Sequence, residues 1–172
     1  MRGQIILSHG SGSGPDAVKT SALAARAEAL GWRTQRPDFR VHDAHGYAAA
    51  VAPRVAQLVT LIAACDTPPV LVGSSMGAFA SALASVDAPV AALFLMATPP
   101  MIPGAERAFD VRAGVPAVLV HGWRDELCPV AAVQAFAAAR HLPLLLVDDD
   151  HRLAGSLDMI TAQFVAFLGR LA

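Results

Sequence analysis

A chain of 172 residues, 55% apolar and only 16% charged, can fill one substantial core and is greasy for a soluble protein. A formal net charge of -1 without any basic run excludes the footprint of a nucleic-acid binder. Residues 67–86 and 88–105 carry no charge, but Pro68-Pro69, Gly73-Ser74-Ser75 and Pro99-Pro100 break them before either reaches the roughly 20 continuous apolar residues a membrane span needs.

Taken in chain order, Gln4–Ser8 reads as a short buried strand that stops at His9-Gly10. Its Ile5-Ile6-Leu7 core is too short for a signal peptide, whose apolar region runs to about 7–15 residues, so a cytoplasmic location is expected. Pro15-Asp16 opens a helix with Val18, Ala22, Ala25 and Ala29 on one face, and Gly31 closes it. A second strand is predicted over residues 32–37. Val51, Val55, Leu58, Val59 and Ile62 recur at helical spacing, and Pro53 predicts that the regular helix starts near it. Residues 70–72 form a strand that runs directly into Gly73-Ser74-Ser75-Met76-Gly77 and an Ala-rich helix reaching about Ser85. Strands follow over residues 90–96 and 116–120, then a helix over Val130–Arg140 and a last strand over 142–147. Leu157, Ile160, Phe164, Phe167 and Leu171 mark the apolar stripe of a C-terminal helix. No linker, repeat or low-complexity segment interrupts this alternation, so a single domain over residues 1–172 is expected.

Strands alternating with helices imply an α/β, doubly wound parallel sheet covered on both faces. Working residues in such folds collect in the loops at the carboxyl ends of the strands. Those loops hold a consistent set of groups. Gly73-Ser74-Ser75-Met76-Gly77 is a G-x-S-x-G sequence in the strand–turn–helix setting of a nucleophile elbow, where a sharp turn lifts the serine hydroxyl above the sheet edge. A serine needs a base, and the base needs a carboxylate to set its tautomer. Asp125, in His121-Gly122-Trp123-Arg124-Asp125, follows the fifth strand, and His151, in Asp148-Asp149-Asp150-His151, follows the sixth. The order Ser75, Asp125, His151 is the one expected of a catalytic triad built on this topology. An oxyanion hole needs preorganised N–H donors. The His9-Gly10-Ser11-Gly12-Ser13-Gly14 loop can present that of Ser11, and Met76, next to Ser75, presents another. Read as a nucleotide site, the same loop has G-x-G-x-G in place of G-x-G-x-x-G and no following Gly-Lys-Ser/Thr.

With these residues in view, the chain resembles the α/β-hydrolase superfamily, most of all its small bacterial members related to carboxylesterases and dienelactone hydrolase. The resemblance spans nearly the whole chain and implies the strand order 2-1-3-4-5-6, with the two leading strands of the larger family pattern absent. Dienelactone hydrolases use a cysteine nucleophile where this chain has Ser75, and an aspartate nucleophile, as in haloalkane dehalogenases, is excluded at the same position. Only residues 98–115 separate the fourth and fifth strands, too few for a helical cap domain. Met101, Ile102 and Phe109 in that segment, with Trp123 and Leu127, are candidate substrate contacts; Phe39 and Leu153 occupy other strand-end loops. Together they predict a shallow cleft for a short acyl or alkyl group rather than a charged substrate.

The expected activity is therefore a serine hydrolase acting on small esters, with thioesters or amides as variants of the same chemistry. A hydrolase-fold binding protein without catalysis is the alternative from another class, since fold alone does not establish activity. No cofactor and no metal are expected. Cys65 and Cys128 have neither disulfide-framework nor zinc spacing, and His42, His45 and His141 lack partnering ligands. His9 and His121 read as structural, and Asp148, Asp149 and Asp150 as competitors of Asp125 for the role of triad acid. The expected partner is a small-molecule ester, with neither nucleic acid nor membrane, and the sequence leaves the oligomeric state open.

Overall fold

The structure, a computed structural model, describes residues 2–171. Its strands are β1 (Gln4–Ser8), β2 (Arg33–Gln35), β3 (Val70–Ser74), β4 (Ala92–Met96), β5 (Ala117–Gly122) and β6 (Leu144–Val147). Its helices are α1 (Val18–Ala29), α2 (Arg40–Asp43), α3 (Tyr47–Ala63), α4 (Met76–Asp87), α5 (Val130–Arg140) and α6 (Leu157–Gly169). All pairings are parallel, in the order β2-β1-β3-β4-β5-β6, so every strand points its carboxyl end to the same edge.

Side chains alternate across a strand, and here both faces are apolar because both are covered. Ile5, Leu7, Val70, Val72 and Phe94 pack on one face with Leu23 and Ala27 of α1 and Ile160 and Phe164 of α6. Ile6, Leu71, Leu93 and Leu95 pack on the other with Leu58 of α3, Phe79 and Leu83 of α4, and Val133 of α5. The two central strands, β3 and β4, are buried throughout. That accounts for the two uncharged stretches: no helix is long and apolar enough to cross a membrane among the described residues.

Several boundaries differ from the sequence reading. The buried face of α1 is Thr20, Leu23, Ala24 and Ala27, and Val18 is 74% exposed, because the single leucine decides a face that alanines barely specify. Helix α3 starts at Tyr47 and runs through Pro53. Its buried stripe, Ala50, Val51, Arg54, Val55, Leu58 and Ile62, spans both sides of the proline, so packing outweighs the roughly 3 kcal/mol a proline costs a helix. Strand β2 shrinks to Arg33–Gln35 at the sheet edge, and the short helix α2 is an addition. Residues 97–116, between β4 and β5, hold no helix and no strand, in keeping with a hydrolase fold that lacks a cap.

The elbow is built by close approach. A Cβ on Gly77 would lie 2.1 Å from the carbonyl oxygen of Ser8 and 2.7 Å from that of His9, and one on Gly73 would lie 2.5 Å from Ala78 Cα. Gly77 therefore lets α4 seat directly beneath the end of β1. Backbone atoms cannot yield as a side chain can, so Gly77→Ala is expected to destabilise the fold by about 3 kcal/mol, the upper end of overpacking costs. Urea denaturation measures this, and a midpoint equal to that of the unmodified protein would mean that the approach is not tight.

Candidate active site

Ser75 occupies the junction of β3 and α4 with φ 54° and ψ -120°, a conformation that non-glycine residues avoid at a cost of about 1–3 kcal/mol. Three backbone hydrogen bonds hold it there. Its N–H donates to the Met96 carbonyl (2.9 Å), and its own carbonyl accepts from the N–H groups of Ala78 (2.8 Å) and Phe79 (3.1 Å). Ser75 Oγ–H donates to His151 Nε2 at 2.9 Å, and His151 Nδ1–H donates to Asp125 Oδ2 at 2.7 Å. The three side chains expected to converge do so. Asp125 is fully buried in its side chain, whereas the His151 ring keeps 18% of its surface open to the cleft.

Both oxygens of the carboxylate accept hydrogen bonds. Oδ1 accepts from the N–H groups of Leu127 (3.0 Å) and Cys128 (2.8 Å), which folds the loop after β5 around it. Oδ2 accepts from His151 and lies 3.2 Å from Nε2 of His121, whose N–H donates to the Cys128 carbonyl at 2.7 Å. His121 is thus more than a loop histidine: it braces the acid, while its Nδ1 stays buried without a partner among the described residues. Asp148, Asp149 and Asp150 do not compete for His151. Asp149 accepts from the N–H groups of Asp150 and Ser156, Asp150 accepts from the Arg152 N–H, and Asp148 pairs with Arg124.

The first loop is aimed by a buried polar chain. The Phe39 N–H donates to His9 Nε2 (3.0 Å), which leaves the proton on Nδ1, and Nδ1–H donates to the Gly10 carbonyl (2.7 Å). Ser13 Oγ–H donates to the same oxygen at 2.9 Å. In a trans peptide the N–H points opposite the C=O. With the Gly10 carbonyl drawn toward His9 and Ser13, the Ser11 N–H is turned the other way. Neither that N–H nor the one of Met76 has a protein acceptor among the described residues, and both residues line the cleft beside Ser75. Arg54, with no exposed surface, donates from Nη1 to the His9 carbonyl (2.7 Å), pairs through Nε and Nη2 with Asp43, and lies 4.7 Å from the Phe39 ring centre.

Asp125, Cys128 and His151 also bring three potential metal-ligand atoms within 4.8 Å of one another. The donor set suits a proton relay better. Burial and the neighbouring Asp125 push the Cys128 thiol up to about 12, whereas a metal takes the thiolate, and the other two groups already bond each other.

A cavity of about 320 Å³ opens from Ser75 and His151 toward Met101, Ile102 and Leu127. Of the expected contacts these three line it, and Tyr47 joins them. Phe109 does not: it is buried between the Phe79 and Phe136 rings, where its apolar surface finds a full set of neighbours. Trp123, 52% exposed, stands outside the lining, Phe39 is buried under Arg54, and Leu153 is buried in the α1/α6 face of the core. Sequence reasoning missed Tyr47, the bracing role of His121, Arg54 and Lys19. The one available signal was for Arg54, a lone cation inside an apolar helical stripe.

Residues 1–158 match the family described as alpha/beta hydrolase domain, and the chain belongs to that family. A crystal structure of a protein of the alpha/beta hydrolase superfamily from Xanthomonas campestris pv. campestris is 43% identical, with 98% of this chain and 99% of that one aligned at a TM-score of 0.93. The Pyrococcus furiosus esterase (17% identical, 98% and 82% covered, TM-score 0.78) and Est1E from Butyrivibrio proteoclasticus (18% identical, 98% and 88% covered, TM-score 0.76) share the fold. No curated protein matches the chain.

His9 yields a pH test. Burial holds its pKa below the ordinary 6.5, helped by the Arg54 charge and opposed by the Gly10 hydrogen bond and by Asp43 and Asp38. Above pH 6.5 both folded and unfolded chains carry it neutral, and its full contribution to stability is present. As pH falls below that value the unfolded chain takes up a proton that the folded one refuses, so stability declines until the folded pKa is passed. Urea midpoints at pH 7.5 and 5 should therefore fall further for the native sequence than for His9→Gln; parallel losses would remove His9 from the account.

Proposed function

We propose that the chain is a serine hydrolase that cleaves small, short-chain carboxylic esters through an acyl-enzyme on Ser75. The observation that carries this reading is the continuous hydrogen-bond path from Ser75 Oγ through His151 to Asp125, at 2.9 and 2.7 Å. Ser75 Oγ attacks the ester carbonyl carbon while its proton passes to His151 Nε2, and the N–H groups of Ser11 and Met76 receive the developing oxyanion. Asp125 keeps the His151 proton on Nδ1, leaving Nε2 free to accept, and stabilises the imidazolium that forms. Collapse of the tetrahedral species breaks the bond to the alkoxy oxygen, which leaves as the alcohol with the proton from Nε2. Water then attacks the acyl-enzyme, gives its proton to Nε2, and the acid departs as Ser75 Oγ recovers that proton. The 320 Å³ cavity, at the small end of ligand sites, and its Met101, Ile102 and Leu127 lining support a short acyl or alkyl group. Membership of the alpha/beta hydrolase domain family supports hydrolysis as the class of reaction.

A fluorophosphonate probe is expected to label the native protein at Ser75 and to leave Ser75→Ala unlabelled. Well-folded protein that resists labelling would favour a binding role on a hydrolase scaffold. On p-nitrophenyl acetate and butyrate, Asp125→Asn should lower kcat by about 10⁴-fold, since an amide can hold the ring in the wrong tautomer. Turnover close to that of the native protein would pass the role to another carboxylate.

A further inference from the structure

A second arm of the cleft leaves Ser75 on the side away from Met101. It measures about 620 Å³, shares Ser11, Ser75 and His151 with the apolar arm, and runs along the first turn of α1. Among the described residues, the lysine and arginine side chains in its lining are Lys19 and Arg152, and the lining includes no aspartate or glutamate. We propose that this arm binds the carboxylate of an anionic ester, with Lys19 Nζ as its counter-charge; the inference rests on the hydrolase reading and narrows its substrate class to esters that are apolar on one side and acidic on the other.

Lys19 is a half-buried ammonium with spare donors. Its single hydrogen bond, to the His151 carbonyl, is long at 3.4 Å, and it forms no ion pair among the described residues. Asp125, Asp150 and Asp149 lie near enough to raise its pKa, but burial outweighs them and lowers it. Asp125 is held in place by His151 and two backbone N–H groups, Asp149 by the N–H groups of Asp150 and Ser156, and the exposed Asp150 by one, that of Arg152, on Oδ1. A desolvated ammonium without a close counter-ion is unfavourable, and a carboxylate entering the arm relieves it. Two neighbours act in the same direction. Ser11, a polar residue, lines the arm, and Lys19 sits at the second position of α1, where the helix dipole is positive. One ammonium, with the exposed Arg152 at the rim, matches a monoanion.

The test compares two ester pairs, each with and without a carboxylate: monophenyl adipate against phenyl hexanoate for the acyl side, and 4-carboxyphenyl acetate against phenyl acetate for the alcohol side. In one pair, the ratio of kcat/KM for the acidic member to that for the neutral member should fall about 10- to 100-fold in Lys19→Gln, through KM, and recover in Lys19→Arg. A ratio unchanged in both pairs, in protein that a fluorophosphonate still labels at Ser75, would overturn the anion site alone. So would an equal loss for acidic and neutral esters, which would make Lys19 a mere prop of the His151 loop. Native protein that neither labels nor hydrolyses any of the four esters would overturn the hydrolase reading and the anion site together.

Discussion

The Asp125 carboxylate is the fixed point of the site. Buried charge is tolerated only where hydrogen bonds replace water, and here each oxygen has its own set of donors. The two N–H groups on Oδ1 come from the loop that Asp125 itself begins, so the carboxylate and its loop fold as one unit. On Oδ2, His151 and His121 approach from the loop after β6 and from β5. Remove the carboxylate and the loops after β5 and β6 lose their common acceptor. The parallel sheet makes this convergence possible, since β3, β5 and β6 end at one edge and deliver Ser75, Asp125 and His151 there.

The loop after β1 is organised by a second buried charge, and the energetics point to positioning more than to stability. Burying the Arg54–Asp43 pair costs desolvation that its own attraction roughly offsets, so such pairs rarely add much stability. What this pair does is fix the guanidinium so that its third nitrogen, Nη1, donates to the His9 carbonyl. His9 in turn orients the Gly10 carbonyl, and through that peptide plane the Ser11 N–H. A long chain of fixed groups therefore ends in one N–H vector.

Features that depend on local chemistry were legible in the sequence. The ends of β1 and α5 agree to the residue, the elbow glycines mark a true close approach, and the order of Ser75, Asp125 and His151 follows from which strands they terminate. Features decided by tertiary packing were not. Pro53 argues locally for a helix start, but a buried stripe on both sides of it wins. Phe109 lies in a segment that belongs to the cleft region, yet its ring turns into the core between two other phenylalanines. Arg54 and Lys19 look in sequence like ordinary helical cations; only the fold shows that one is sealed under the first loop and the other borders the cleft.

Without a cap, the cleft has no separate domain to enclose a substrate, and selectivity falls to the walls that the sheet edge and first helix provide. Those walls are unequal in character. Met101 and Leu127, 70% and 75% exposed, form an apolar rim on one side of Ser75, and apolar contact alone discriminates weakly because one methylene more or less changes little. Charge is the stronger discriminator in a site that water can enter, provided that one partner is already partly desolvated. Lys19 meets that condition and the exposed Arg152 does not, so the side of the cleft along α1 is where an open hydrolase of this size has the most to gain in discriminating between ligands.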